Sequence, residues 1–405
     1  MDTSEDPVTS DILFVLQLRI SNKYFLPNLR IFECDHATEA FIPFIPSFLS
    51  RTTTDITIKF AQGSSTVMVA SMITRLSILC PSLECINLNH LPRDPVITEA
   101  VSEMLLACDR DALRWFQVDS PLTEEAREVV CQLSNLSELW TVIEGHTRLP
   151  TVTLPNLVSI DIEYDGHLDW LQGFRGATLG TLEAAYFNSR SEPIGDFLGE
   201  FESVARTTSA LATLSAFKFS TSQPWNPNYR SLLPFTQLKE LAIKFSCDDS
   251  CSSRVDDNII MDLARAMPKL EILQLGGKPC ETIGGVTVKG LIALSRGCRH
   301  LSKLRIHFQS TSLVEAATGI GTPAPSDEVA VRRQGCVLTD LVVGEIPIPV
   351  QSAWTVTLTL LQIFPRLLNI EFIDPKWENV AENIRIVKQI GTFVHCTGKP
   401  PLPYL

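Results

Sequence analysis

No block of lysine or arginine occurs anywhere in the 405 residues, and basic side chains are outnumbered 34 to 46, for a net charge of −12. A polyanion or an anionic bilayer is therefore not the main ligand, because like charge repels it. Charged residues make up only 20% of the chain against 45% hydrophobic ones, which leaves ample material for a core and excludes wholesale disorder. Glycine (20) and proline (25) are neither abundant nor periodic, which removes collagen-like and low-complexity classes. Long apolar runs are missing as well. Ile12 to Leu18 is too short to span a bilayer, and 346–365 is broken by Pro347, Pro349, Gln351 and Gln362. The first residues, MDTSEDPVTSD, are acidic where a secretory signal needs positive charge. These absences point to an intracellular chain, cytoplasmic or nuclear or both, with neither membrane nor nucleic acid as partner.

Catalytic patterns are also scarce. No H-E-x-x-H, G-x-S-x-G or kinase set is present. Gly319-Ile-Gly321-Thr-Pro-Ala has the spacing of a phosphate loop, but proline stands where the helix N-terminus should follow. The seven histidines are dispersed. The 11 cysteines are an odd number, several of them inside apolar patterns such as CPSLECINL, and read as reduced core thiols. Cys247 and Cys251 form one C-x3-C in a polar loop, without two further converging ligands for zinc. The expectation is no catalytic residue, no cofactor and no metal.

What the chain does have is one unit used over and over. An L-x-x-L-x-L spacing recurs as Leu83-Ile86-Leu88, Leu113-Phe116-Val118, Leu157-Ile160-Ile162, Leu214-Phe217-Phe219, Leu270-Leu273-Leu275, Leu301-Leu304-Ile306 and Leu367-Ile370-Phe372. Weaker copies bring the total to about thirteen, spaced roughly 21 to 37 residues apart between 25 and 375. The left flank is shared: Pro27-Asn-Leu29, Pro81-Ser-Leu83, Pro155-Asn-Leu157, Pro268-Lys-Leu270, Pro365-Arg-Leu367. Proline stops the preceding helix and pushes its own predecessor toward extended geometry. The alternation that follows has the period of a half-buried strand. Helical patterns fill the intervals, for example 67–79, 96–107, 122–133, 259–267, 286–295, 353–364 and 380–390, with Thr123 and the pair Asp256-Asp257 as start signals. Residues 1–24 are expected to be a partial cap, 310–336 a flexible insertion, and 376–405 a terminal helix and tail.

This pattern resembles leucine-rich repeats of the ribonuclease-inhibitor-like kind, especially the irregular arrays of fungal F-box proteins, whose style LPNL, CPSL and CRHLSKL match. The resemblance implies a right-handed α/β solenoid, a horseshoe with a concave parallel sheet and helices on the convex side. It also implies a non-catalytic role as the substrate-recognition part of an F-box-type ubiquitin ligase, the alternative being a stand-alone scaffold or regulator. Two features depart from the family. The asparagine usual after the L-x-L core is absent, with Ser246, Lys278 and Gln309 in its place. The first 25 or so residues contain no F-box, so a Skp-type adaptor and a cullin are expected as partners only if an F-box lies upstream, the gene product being truncated or the adaptor-binding end lost.

Within such repeats the residues between apolar strand positions face the concave side. That places Trp115, Trp140, Asp161, Tyr164, Tyr186, Lys218, Lys244 and Arg305 on a surface for a protein substrate, acidic and aromatic first and more basic later. Trp225 and Tyr229, in STSQPWNPNYR, mark a second candidate in a loop.

Overall fold

The structure is a computed structural model that describes residues 25–143, 154–164, 179–186, 197–207, 210–222, 225, 227–245, 255–276, 285–319, 336–343, 348, 352–372 and 374–397. The segment 1–24, the Cys247/Cys251 pair and the stretch 320–335 lie outside the described residues. The chain divides into two compact units, Met1–Asn188 with Val204–Thr213, and Ser189–Ser203 with Leu214–Leu405.

Thirteen strands are present among the described residues, one for each repeat read from the sequence, and sheet order follows chain order. In the first unit these are β1 (Ile31–Ala37), β2 (Asp55–Phe60), β3 (Cys85–Asn89), β4 (Trp115–Pro121), β5 (Glu138–Ile143), β6 (Ser159–Tyr164) and β7 (Thr181–Tyr186). The second holds β8 (Ala216–Thr221), β9 (Glu240–Lys244), β10 (Ile272–Leu275), β11 (Lys303–Arg305), β12 (Asp340–Val343) and β13 (Asn369–Phe372). Within each unit every pairing is parallel and joins consecutive strands. The fold is α/β with an all-parallel sheet.

Ten helices accompany the strands among the described residues: α1 (Ile45–Phe48), α2 (Thr66–Leu79), α3 (Pro95–Ala107), α4 (Glu124–Val130), α5 (Phe197–Thr207), α6 (Asp257–Ala266), α7 (Val288–Gly297), α8 (Ser310–Gly319), α9 (Ala353–Ile363) and α10 (Glu378–Thr397). Neighbouring repeats pack α2 on α3, α6 on α7, α8 on α9 and α9 on α10. Helix α8 corrects the expectation of a flexible insertion starting at 310: Ser310 to Gly319 is helical, and Leu313 is buried. Its short apolar set, Leu313, Val314, Ala316 and Ala317, stands among Ser and Thr, so the helical period is weak in the sequence.

The helix-to-strand turn repeats in detail. The residues ending α2, α6, α7 and α9 are Cys80, Met267, Cys298 and Phe364, with φ between −127° and −105° and ψ between 65° and 78°. Three of the four precede proline, which disfavours helical ψ at that position. Three residues after each of these the chain delivers Leu83, Leu270, Leu301 or Leu367, each fully buried. From there carbonyls at each strand start accept two N–H groups from the next repeat. Arg114 O accepts from Ser137 and Glu138, Ser137 O from Val158 and Ser159, and Glu271 O from Ser302 and Lys303. Turn side chains add a parallel ladder: Asn135 Nδ2 donates to Asp111 O at 2.7 Å, and Asn156 Nδ2 to Ser134 O at 2.9 Å.

The start signals hold, with one refinement. Thr123 accepts from Ala126 N, and Asp256 from Ile259 N at 2.8 Å, each capping its own helix. Asp257 instead caps the next repeat, accepting from Thr287 N at 2.8 Å, Thr287 Oγ1 at 2.6 Å and Gly290 N at 3.0 Å. Cys34, Cys80, Cys85, Cys108, Cys131, Cys298 and Cys336 are all free thiols. Burial pushes Cys108 and Cys298 up to about 12, and Cys80, Cys131 and Cys336 to about 11.

Candidate interaction face

Alternation along each strand sorts side chains onto two faces. Even-step residues such as Ile56, Ile86, Phe116, Leu139, Ile160 and Leu182 are buried, and the residues between them are presented. Because pairing is in register, the presented residues line up in rows across the strands. In the first unit one row runs Ile31, Asp55, Cys85, Trp115, Glu138, Ser159, Thr181. Two residues along lies a second: Glu33, Thr57, Asn87, Gln117, Trp140, Asp161, Glu183.

The presented face of this unit is acidic. Glu33, Asp35, Asp55, Asp119, Glu138, Asp161, Glu163 and Glu183 stand on it, against Lys59 from the same strands. Neighbouring strands are about 4.8 Å apart, well inside the screening length of about 10 Å at moderate salt, so these charges reinforce one another. Lys59 pairs with Asp35 at 2.9 Å. Arg93, from the segment after β3, reaches Glu163 Oε2 on β6 at 3.2 Å. Trp115 is 40% exposed and Trp140 half-buried, which places both indoles on this face. Asp161 lies between buried Ile160 and Ile162.

Tyr164 and Tyr186 are not on this face, and here the sequence reading is corrected. They are 1% and 6% exposed and stack edge-to-face with ring centroids 5.4 Å apart. Parity is the reason: Tyr164 lies two steps from Ile162 and Tyr186 two steps from Ala184, on the buried side of strands whose patterns alternate to their last residue. Trp225 and Tyr229 are buried too. Trp225 packs 4.6 Å from Phe219 in a cluster with Phe197 and Phe245, and Phe201 stacks on Phe217 and Phe235, both at 4.8 Å. Helix α5, which supplies Phe197 and Phe201, was missed because its apolar positions sit among Gly, Glu and Ser; the Phe-x3-Phe spacing was the available signal.

In the second unit Lys218 is half-buried and pairs with Glu240 at 3.6 Å, and Lys244 is exposed. Lys303 and Arg305 are half-buried on β11. Asp340 lies beside Lys303, its carboxyl held low by hydrogen bonds from Thr339 Oγ1 and Asn369 Nδ2. This face carries cations and anions in near balance. The His307 ring approaches Gly276, where a β-carbon would meet Cδ2 at 3.2 Å and φ is +104°.

Compared with known proteins, the sequence matches no protein-family model and no curated protein. The face must be read from its own chemistry.

Two strand-exit features shape its rim. His90 adopts φ 60°, and the Asp119 carboxylate accepts its N–H together with that of Leu91. Burial nonetheless raises Asp119 above the ordinary carboxylate value, outweighing those bonds. Gln117 Nε2 donates to Asn89 Oδ1 at 3.2 Å, and Asn89 Nδ2 to Asn87 Oδ1 at 2.6 Å, tying the polar row together. Behind β5 a cavity of about 20 Å³ lies among Leu122, Arg127, Val130, Leu139 and Thr141, room for a single water. No group of three or more His, Cys, Asp or Glu side chains is arranged to hold a metal among the described residues. No helix among them is long and apolar enough to cross a membrane.

Proposed function

We propose that this protein is a non-catalytic interaction module. In this reading the parallel array is a right-handed leucine-rich-repeat solenoid, its presented strand face is concave, and a protein partner is captured there. The observation that carries it is the row chemistry of β4 to β6. Trp115 and Trp140 sit on presented positions where solubility alone would favour small polar or charged side chains.

By resemblance to fungal F-box proteins, the captured protein is the substrate of a ubiquitin ligase, and the chain acts by positioning it rather than by making bonds. A Skp-type adaptor and a cullin join it only if an F-box lies upstream. A stand-alone scaffold using the same face, without an adaptor, is the alternative. It needs nothing beyond the described repeats.

Affinity purification of the protein expressed from its own locus in its native cells separates the two. Recovery of a Skp-type adaptor and a cullin supports ligase membership, and their consistent absence leaves the scaffold. For the face itself, Trp140→Ala combined with Asp161→Lys should sharply reduce partner capture while the melting temperature stays within a few degrees. Unchanged capture sinks the assignment of this face.

A further inference from the structure

The first unit's face contains one arrangement twice. Trp115 on β4 is the register partner of Glu138 on β5, and Trp140 on β5 is the register partner of Asp161 on β6. Each pair sets an indole beside a carboxylate on the adjacent strand. The second pair is displaced from the first by one strand and two residues, a diagonal of about 8 Å from strand spacing and rise.

An indole face beside a carboxylate is a subsite for a guanidinium, which stacks on the ring through its quadrupole and donates to the anion in its own plane. The guanidinium–carboxylate half of that chemistry occurs within the unit, where Arg93 donates to Glu163 Oε2 at 3.2 Å. Alternate residues of an extended chain are about 7 Å apart and project to the same side. That is close to the diagonal between the two pairs. The surrounding carboxylates, Glu33, Asp55 and Glu183 among them, add a field that draws cations and repels acidic chains.

We infer that the partner segment taken by this face is extended and arginine-bearing, with cationic side chains at positions i and i+2 occupying the Trp115–Glu138 and Trp140–Asp161 pairs. The inference rests on the interaction-module reading and specifies its partner.

The test uses the full chain and a fluorescent peptide of about ten residues with arginine at alternate positions in a Ser/Gly background. Saturable binding is expected at low salt, weakening as salt rises. Binding should fall about tenfold for Trp115→Ala/Trp140→Ala and for Glu138→Gln/Asp161→Asn, each checked for an unchanged melting transition. A peptide with arginine at every third position should bind several-fold more weakly, and one with glutamate in place of arginine not at all. Absence of saturable binding, or wild-type affinity in either double variant, overturns the inference. Concentration-dependent self-association lost in the same variants would assign the face to a second copy and overturn it as well.

A photo-crosslinking residue at position 117, introduced in cells, separates the two levels. Capture of a native protein there without binding of the arginine peptide overturns the cationic segment but leaves the interaction module standing. Failure of both removes both.

Discussion

The Asp119 carboxylate of β4 accepts the main-chain N–H of Leu91 at 3.0 Å, and that of His90 beside it, so one side chain fixes the turn by which the chain leaves β3. His90 needs that help, because φ of 60° is unfavourable for a residue with a β-carbon. Asp119→Ala strands two donors and should lower unfolding free energy by about 1–3 kcal/mol in urea titration. Asp119→Asn retains an acceptor oxygen and should cost less. An Ala variant as stable as wild type would show that water replaces the carboxylate.

Gly290 is coupled to Asp257 across the gap between α6 and α7. A β-carbon at 290 would stand 2.6 Å from Asp257 Oδ1 and 2.9 Å from Val286 Cγ1. Glycine to alanine inside a helix ordinarily stabilises by about 1 kcal/mol. Here Gly290→Ala should destabilise instead. Asp257→Ala should cost about 1–2 kcal/mol through loss of the cap on α7. The double variant should lose less than the sum of the singles, since removing Asp257 removes the closest clash. Strict additivity in a denaturation cycle would contradict that contact.

The buried thiols set an alkaline limit. With folded values raised to about 11 or 12, Cys80, Cys108, Cys131, Cys298 and Cys336 keep their protons where the unfolded chain, near the ordinary value of 9.0, loses them. Stability from this source is complete below pH 9 and is lost as pH rises through 11. Each thiol contributes a slope of about 1.4 kcal/mol per pH unit in between. The melting temperature should therefore fall steeply above pH 9, and replacing Cys298 with Val should flatten the fall. At pH 7.5 these thiols should resist alkylation until the protein unfolds, as mass spectrometry would report; labelling of Cys108 in the native state would refute the assignment.

Burial separates the aromatic residues of the middle strands into two groups. Trp115→Ala should change stability by less than about 1 kcal/mol, whereas Tyr164→Ala should cost about 3–5 kcal/mol by emptying a packed site. The reverse order in chemical denaturation would mean that the strand faces have been exchanged.

The charge pair Lys218–Glu240, at 3.6 Å and partly exposed, should matter little to stability. Lys218→Met is expected to shift unfolding by no more than about 1 kcal/mol. A larger loss would show that the pair is screened from solvent.

The sequence by itself determined where the strands are. Leu83, Leu157, Leu270 and Leu367 head units whose spacing, with proline to the left and alternation to the right, is dictated by backbone geometry, and each unit became a strand. The two-residue period sets Trp115, Trp140 and Asp161 next to buried Phe116, Leu139 and Ile160, since parity within a strand is a local property. Parity also puts Tyr164 and Tyr186 on the buried side, two steps from Ile162 and Ala184; what the sequence alone does not show is that the two rings pack against each other across adjacent strands. Three things were decided by tertiary structure alone, because each requires two repeats to be side by side: Asp257 capping the helix of the next repeat, the asparagine ladder before the strands, and the diagonal that brings Trp115–Glu138 and Trp140–Asp161 within reach of one extended chain.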